Sequence, residues 1–112
     1  MTLQQQQAKF CLDVARLIQY INLNGYTCTF GDAFRSPEAS AIYASRGIGS
    51  KNSLHCKRLA IDLNLFKDGV FLSDGKDHEQ FGIWWESLDK QNRNGRNFPR
   101  PDSNHYEIME IK

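Results

Sequence analysis

Ser53-Leu54-His55 leads into an apolar stretch that carries Asp62, and Asp102-Ser103-Asn104-His105 follows later in the chain. Two histidines and two carboxylates in this order match what a hydrolytic zinc site requires. Such a zinc takes three protein ligands and keeps a fourth position for water, whose pKa the metal lowers towards neutrality. His55, Asp62 and His105 could supply the three ligands. A carboxylate that is not a ligand must then take the proton from the water and deliver it to the leaving amine, within hydrogen-bond reach of both. Asp102, three residues before His105, stands where such a base could act.

The local pattern bears on whether these groups can meet. In Leu59-Ala60-Ile61-Asp62-Leu63-Asn64-Leu65-Phe66 the leucines and the isoleucine alternate with other residues, the period of a strand with one face in a core. Asp62 and Asn64 then point away from the apolar face. An acid in so apolar a strand is costly unless it is paired, hydrogen-bonded or bound to a metal. In Asn104-His105-Tyr106-Glu107-Ile108-Met109 the same alternation puts His105, Glu107 and Met109 on one face. If the two strands pair, both ligand positions face one cleft.

At these residues the sequence resembles a family of zinc peptidases that includes VanY-type D-alanyl-D-alanine carboxypeptidases and phage L-alanyl-D-glutamate endopeptidases. The likeness lies in Ser-x-His followed by six residues and Asp, then a later Asp-x-x-His followed by an aromatic residue and Glu. It spans roughly residues 26 to 110. It implies a hedgehog/DD-peptidase-like fold, zinc as cofactor, His55, Asp62 and His105 as its ligands, and Asp102 as general base. It further implies that Arg35 stabilises the developing oxyanion or holds a substrate carboxylate, and that Ser53 hydrogen-bonds the substrate. Gly82-Ile83-Trp84-Trp85-Glu86 resembles the family's Gly-Trp-Glu stretch, which lines the cleft, so Trp85 is expected to touch substrate. Many members carry glycine three residues after the first histidine, where this chain has Arg58. Either the loop takes a different backbone path or φ stays negative at Arg58.

Composition agrees with one small enzyme domain over residues 1–112. A chain of 112 residues with 40% hydrophobic content suffices for one core and is too short for two. A net charge of +1 implies no general attraction to nucleic acid or anionic membrane. Lys90, Arg93, Arg96 and Arg100 concentrate positive charge among asparagines, and a solvated loop is the expectation there, with contact to anionic wall polymer or substrate as the alternative. Three cysteines, Cys11, Cys28 and Cys56, without C-x-x-C spacing, point to a reducing compartment rather than a disulfide framework. Cys56 adjoins His55 but in an extended segment would point the other way, so it is not counted as a ligand. Met1-Thr2-Leu3 and the glutamines after it lack the pattern of a secretory signal. The expectation is a monomer kept in the cytoplasm and, by the phage resemblance, released to the wall through a holin pore.

The elements that must position the site follow from periodicity. Phe10, Val14, Leu17, Ile18 and Ile21 recur at helical spacing and Asn24-Gly25 stops the pattern. Tyr26 to Phe34 reads as a strand delivering Arg35, and Ser36-Pro37 opens a second helix, serine as N-cap and proline at the first position. Gly47 to Asn52 reads as a loop into His55. Asp68-Gly69 is a hairpin signal with Val70-Phe71-Leu72 as returning strand. Asp77 with Gln80 resembles a capping box for a third helix through Phe81, Trp84, Trp85 and Leu88. This order predicts an α+β domain with a small antiparallel sheet and packed helices.

Each candidate also has a structural account. Asp62 could be salt-bridged to Arg58 or Lys57, Asp102 could begin a turn after Pro101, and Arg35 could pair with Asp32. Glu107 could orient His105 or compete with Asp102 as base. His78 reads as a surface or hydrogen-bonded residue. Two further functional classes stand beside the peptidase. One is a zinc-stabilised binding module of the same fold without turnover. The other is a nucleic-acid contact through the basic stretch and Phe98, which the near-neutral charge disfavours.

Overall fold

The apolar stripe of the first helix sets the core. In a computed structural model that describes residues 1–48 and 53–112, α1 spans Leu3–Leu23 and buries Phe10, Val14, Leu17 and Ile21. Thr2 and Gln5 close its start as a capping box, each side chain taking the other's backbone N–H. Asn24 caps its end, and Gly25 reverses the chain at φ +85°, a conformation that glycine adopts without a Cβ clash. Helix α2 spans Pro37–Ser45 with Ser36 as N-cap, its hydroxyl accepting from Ala39 N, as the Ser-Pro pair predicts.

Four strands run in the order β1 (Thr27–Phe30), β2 (Ala60–Lys67), β5 (Asp102–Ile108), β4 (Asn92–Gly95), and β3 (Val70–Phe71) pairs with β2 beyond this row. All pairings are antiparallel. The β2–β3 hairpin turns at Asp68 and Gly69, both at positive φ, as a two-residue hairpin loop requires. Helix α3 (Gly75–Leu88) and α1 cover one face of the sheet, where Ile61, Leu63 and Leu65 of β2 meet Phe81, Trp85, Tyr106 and Ile108. The period-2 alternation of β2 leaves Asp62 and Asn64 on the opposite face. The α+β class, the small antiparallel sheet and the packed helices are as the sequence predicts.

Several boundaries differ. The first strand is shorter than 26–34 because after Phe30 the backbone leaves regular pairing, with Gly31 N and Asp32 O each bonding to Asp62 at 2.8 Å. The third helix starts one turn earlier than the Asp77 capping box implies. Asp74 is the N-cap, accepting from Lys76 N, and Asp77 sits in the first turn, where its charge favours the helix dipole. His55 and Cys56 lie in a 3-10 turn, Leu54–Lys57, and not in an extended segment. Residues 49–52 of the expected loop lie outside the described residues.

The largest correction concerns the basic stretch. Asn92–Gly95 is a strand, not a solvated loop. It has no apolar residue, so periodicity could not reveal it. Side-chain amides build it instead: Asn94, fully buried, donates to the carbonyls of Ser103 and His105 at 2.9 Å each, and Asn92 donates to Asp13 on α1 and to Trp85 O. Arg93 pairs with Glu107, Arg96 with Glu86, and Arg100 with the Gly47 carbonyl, so these cations hold the fold and the rim of the cleft. No helix among the described residues is long and apolar enough to cross a membrane.

Candidate metal centre

Cross-strand register brings the sequence-predicted ligands together. Asp62 lies directly opposite His105 in the β2–β5 pair, where facing side chains share one side of the sheet. His55 reaches the same point from the 3-10 turn. One ligand atom each from His55, Asp62 and His105 fall within 4.8 Å of one another. Asp62 Oδ1 lies 3.1 Å from His105 Nδ1 and 3.4 Å from His55 Nε2. Bonds of 2.0–2.1 Å to a tetrahedral zinc put ligand atoms roughly 3.3 Å apart, so the spacing fits such an ion.

The far side of each imidazole is also engaged. His55 Nδ1 faces the Ala33 carbonyl at 3.4 Å, which leaves the Nε2 lone pair for the cluster. His105 Nε2 meets Glu107 Oε1 at 2.7 Å, which directs Nδ1 inward. Glu107 in turn pairs with Arg93. Metal-ligating histidines commonly have such a partner on the second nitrogen, fixing tautomer and ring orientation. The donor set and its outer partners therefore suit a divalent zinc-type ion. Asp62 is not salt-bridged to Arg58 or Lys57; Lys57 pairs with Glu110 instead.

Electrostatics match this arrangement. Burial works against the charge on Asp62, but hydrogen bonds and charges from His105 and His55 outweigh it and bring its pKa down to about 2. Burial likewise opposes the His105 imidazolium, yet Asp62 and Glu107 raise its pKa to about 9. A His pKa raised on folding stabilises the metal-free protein fully below its unfolded value near 6.5. That contribution is lost as pH rises through about 9. Zinc needs Nδ1 unprotonated, so its binding is expected to release close to one proton from His105 at pH 7 and to tighten about tenfold per pH unit between roughly 7 and 9. Calorimetry in buffers of different ionisation enthalpy reads that proton; a buffer-independent heat would contradict it.

Asp102 stands at the edge of the cluster, its Oδ2 3.9 Å from His105 Nδ1 and its side chain 52% exposed. Burial and the neighbouring Asp62 charge raise its pKa, against the pull of His105, His55 and Arg35. This is the direction a proton acceptor near neutral pH needs. The last residue of β4 fixes its position: Gly95 faces Asp102 in the register, and a Cβ there would lie 2.1 Å from the Asp102 carbonyl oxygen.

A cleft of about 820 Å³ opens over these groups, and Arg35, Ser53, Arg93, Phe98 and Arg100 contribute to its walls. Arg35 both lines it and pairs with Asp32 at 2.7 Å; its buried Nε has no hydrogen-bond partner among the described residues. Ser53 also lines it, with its hydroxyl accepting from His55 N as the cap of the 3-10 turn. Cys56 turns away to Ser40, Sγ to Oγ 3.0 Å, and takes no part in the cluster. Arg58 ends the turn at φ +58°, so φ does not stay negative there. Its guanidinium lies over the Phe34 ring at 4.1 Å, and this contact offsets part of the cost of the left-handed conformation.

Trp85 does not line the cleft. It is wholly buried beneath the sheet, edge-on to Phe10 and Tyr106, and its indole N–H is shared by the carbonyls of Arg93 and Glu107 at 3.1 Å. Trp84 stacks on Tyr20 with centroids 4.2 Å apart. Helical spacing places both on the packed side of α3, which a motif likeness could not distinguish from a cleft. Trp85→Phe is expected to lower stability by about 1–3 kcal/mol by removing the indole donor that two buried carbonyls share and part of the ring that fills the core, which chemical denaturation would measure. His78 is buried and hydrogen-bonded, Nε2 to the Leu72 carbonyl at 2.9 Å. Sequence reasoning missed Arg93 as a cleft residue, and its position opposite Glu107 on β4 is what places it there.

No protein-family model and no curated protein matches this sequence. Solved structures do match the fold, among them two peptidases. The Serratia marcescens L-Ala D-Glu endopeptidase ChiX has a TM-score of 0.70 at 15% identity, covering 87% of this chain and 78% of that one. The vancomycin resistance D,D-pentapeptidase VanY from a VanB-type resistance cassette, solved in complex with Zn(II), has a TM-score of 0.62 at 14% identity, covering 92% of this chain and 72% of that one. The chain therefore carries the α+β fold that these two peptidases share.

Proposed function

We propose that this chain is a single-domain zinc peptidase that hydrolyses the peptide part of bacterial peptidoglycan, cutting the L-alanyl-D-glutamate bond of the stem. The observation that carries the reading is the His55–Asp62–His105 cluster at the floor of an open cleft, with the carboxylate of Asp102 beside it and Arg35 in the wall. The fold held in common with an L-Ala D-Glu endopeptidase and a zinc-containing D,D-pentapeptidase supports it.

His55 Nε2, Asp62 Oδ1 and His105 Nδ1 would hold the ion. Zinc in such a site supplies Lewis-acid activation of water and of a scissile carbonyl. Asp102 takes the proton of the attacking water on its carboxylate and returns it to the leaving amine. Arg35 offsets the negative charge that develops on the carbonyl oxygen. Ser53 stands at the cleft wall to meet the substrate backbone, and Glu107 keeps the His105 ring in register rather than serving as base, since its carboxylate is taken up by His105 and Arg93.

The test is mass spectrometry of products from a synthetic stem pentapeptide incubated with zinc-loaded protein. A product beginning at D-glutamate supports the endopeptidase. Release of terminal D-alanine would instead assign the carboxypeptidase. Zinc uptake and wall binding without any product would assign the non-catalytic module.

A further inference from the structure

The cleft does not stop at Asp102. A second cavity of about 360 Å³ shares Pro101 and Asp102 with the first and lies between Asn64 on the Asp62 face of β2, Ser103 and Asn104 at the start of β5, and His78 of α3. Asn64 follows Asp62 by two residues on β2, so both project to that face. Beyond it, Phe66 faces Phe71 of β3 across the ladder, ring centroids 5.6 Å apart, and Phe71 is more than half exposed at the cavity's outer wall.

The two halves differ in chemistry. Arg35, Arg93 and Arg100 line the first, beside the carboxylates of Asp62, Asp102 and Glu107 that belong to the metal centre and its edge. No arginine or lysine among the described residues lines the second, and Asp102 on the shared wall is its only acid. Amides, hydroxyls and an exposed aromatic ring stand in the rest of its lining beside Leu72, Gly75, Pro101 and the His78 imidazole, whose Nε2 is bonded to the Leu72 carbonyl. Convergent neutral hydrogen-bonding groups beside an aromatic ring suit a pyranose, whose hydroxyls and acetamido group take the polar partners while its C–H face lies on the ring.

We propose that the second cavity is a saccharide subsite, holding the glycan next to the stem while the arginine-lined half takes the acidic peptide. This rests on the peptidase reading above and deepens it. The glycan joins the stem through L-alanine, so at an L-alanyl-D-glutamate bond the sugar lies one residue to the amino side. The free α-carboxylate of D-glutamate then lies one residue to the other. That partition follows the charge of the two halves. At a D-alanyl-D-alanine bond the sugar would be several residues away and would not reach a cavity that shares a wall with Asp102.

Steady-state kinetics on two substrates test this: a stem peptide alone and the same peptide carrying N-acetylglucosaminyl-N-acetylmuramic acid. The protein is expected to show a kcat/KM roughly tenfold higher on the glycan-bearing form. Phe71→Ala should abolish most of that preference through KM, and Phe71→Trp should retain it. Equal kcat/KM on the two substrates, or a preference that survives Phe71→Ala, overturns the subsite while leaving the peptidase intact. Hydrolysis of neither substrate overturns both.

Discussion

Asp102→Asn is expected to leave zinc uptake at one equivalent and to lower turnover by about 10²–10⁴-fold. The reasoning is geometric first. Asp102 lies beside the cluster but outside it, 3.9 Å from the nearest imidazole nitrogen, while the three ligand atoms close on one another without it. Asparagine keeps the shape and can donate a hydrogen bond, but it cannot accept and return a proton. The position is also electrostatically suited: burial and Asp62 raise the pKa of Asp102, so its carboxylate is a better acceptor than an ordinary exposed aspartate. Native turnover in this variant would remove Asp102 from the chemistry. Loss of zinc together with turnover would mean that it acts as a ligand.

Asp62→Ala should have the larger effect on metal. Asp62 Oδ1 is the atom shared by both histidines, and Asp62 supplies the one carboxylate of the cluster. Removing an outer partner of a metal ligand typically costs 10–100-fold in affinity, and loss of a ligand should exceed that, with turnover falling in step. The fold should survive, because the bonds from Asp62 to Gly31 and Asp32 are made by its backbone and remain in alanine. Zinc titration with a competing chelator, with circular dichroism as a control for folding, measures this. Unchanged affinity in a folded variant would exclude Asp62 from the centre.

The parts of this site that could be read in the sequence are those governed by simple periodicity. The alternation in β2 put Asp62 on the polar face, and that in β5 put His105 and Glu107 together; the register then set Asp62 against His105. Ser36-Pro37 and Asn24-Gly25 were readable because caps act through the nearest few backbone groups. Strand β4 was not, since Asn92-Arg93-Asn94-Gly95 carries no hydrophobic signal and is stabilised by amide bonds to residues about ten positions later or on α1. Trp85 was misassigned for a related reason: its spacing with Phe81 fits a core helix, and only the packing of α3 on the sheet decides which side it faces. The positive φ of Arg58 likewise depends on the turn that carries His55, and residue type alone argues against it.

The two substitutions divide the site into a part that holds metal and a part that moves protons, and the account requires the two to act on one ion. The decisive measurement is a zinc titration of metal-free protein with stem-peptide hydrolysis followed at each addition. The account predicts activity that rises linearly to one equivalent of zinc and then stays level, and that is absent from Asp62→Ala at the same concentrations. Full hydrolysis by protein stripped of metal, or one tightly held zinc with no hydrolysis at all, would contradict it.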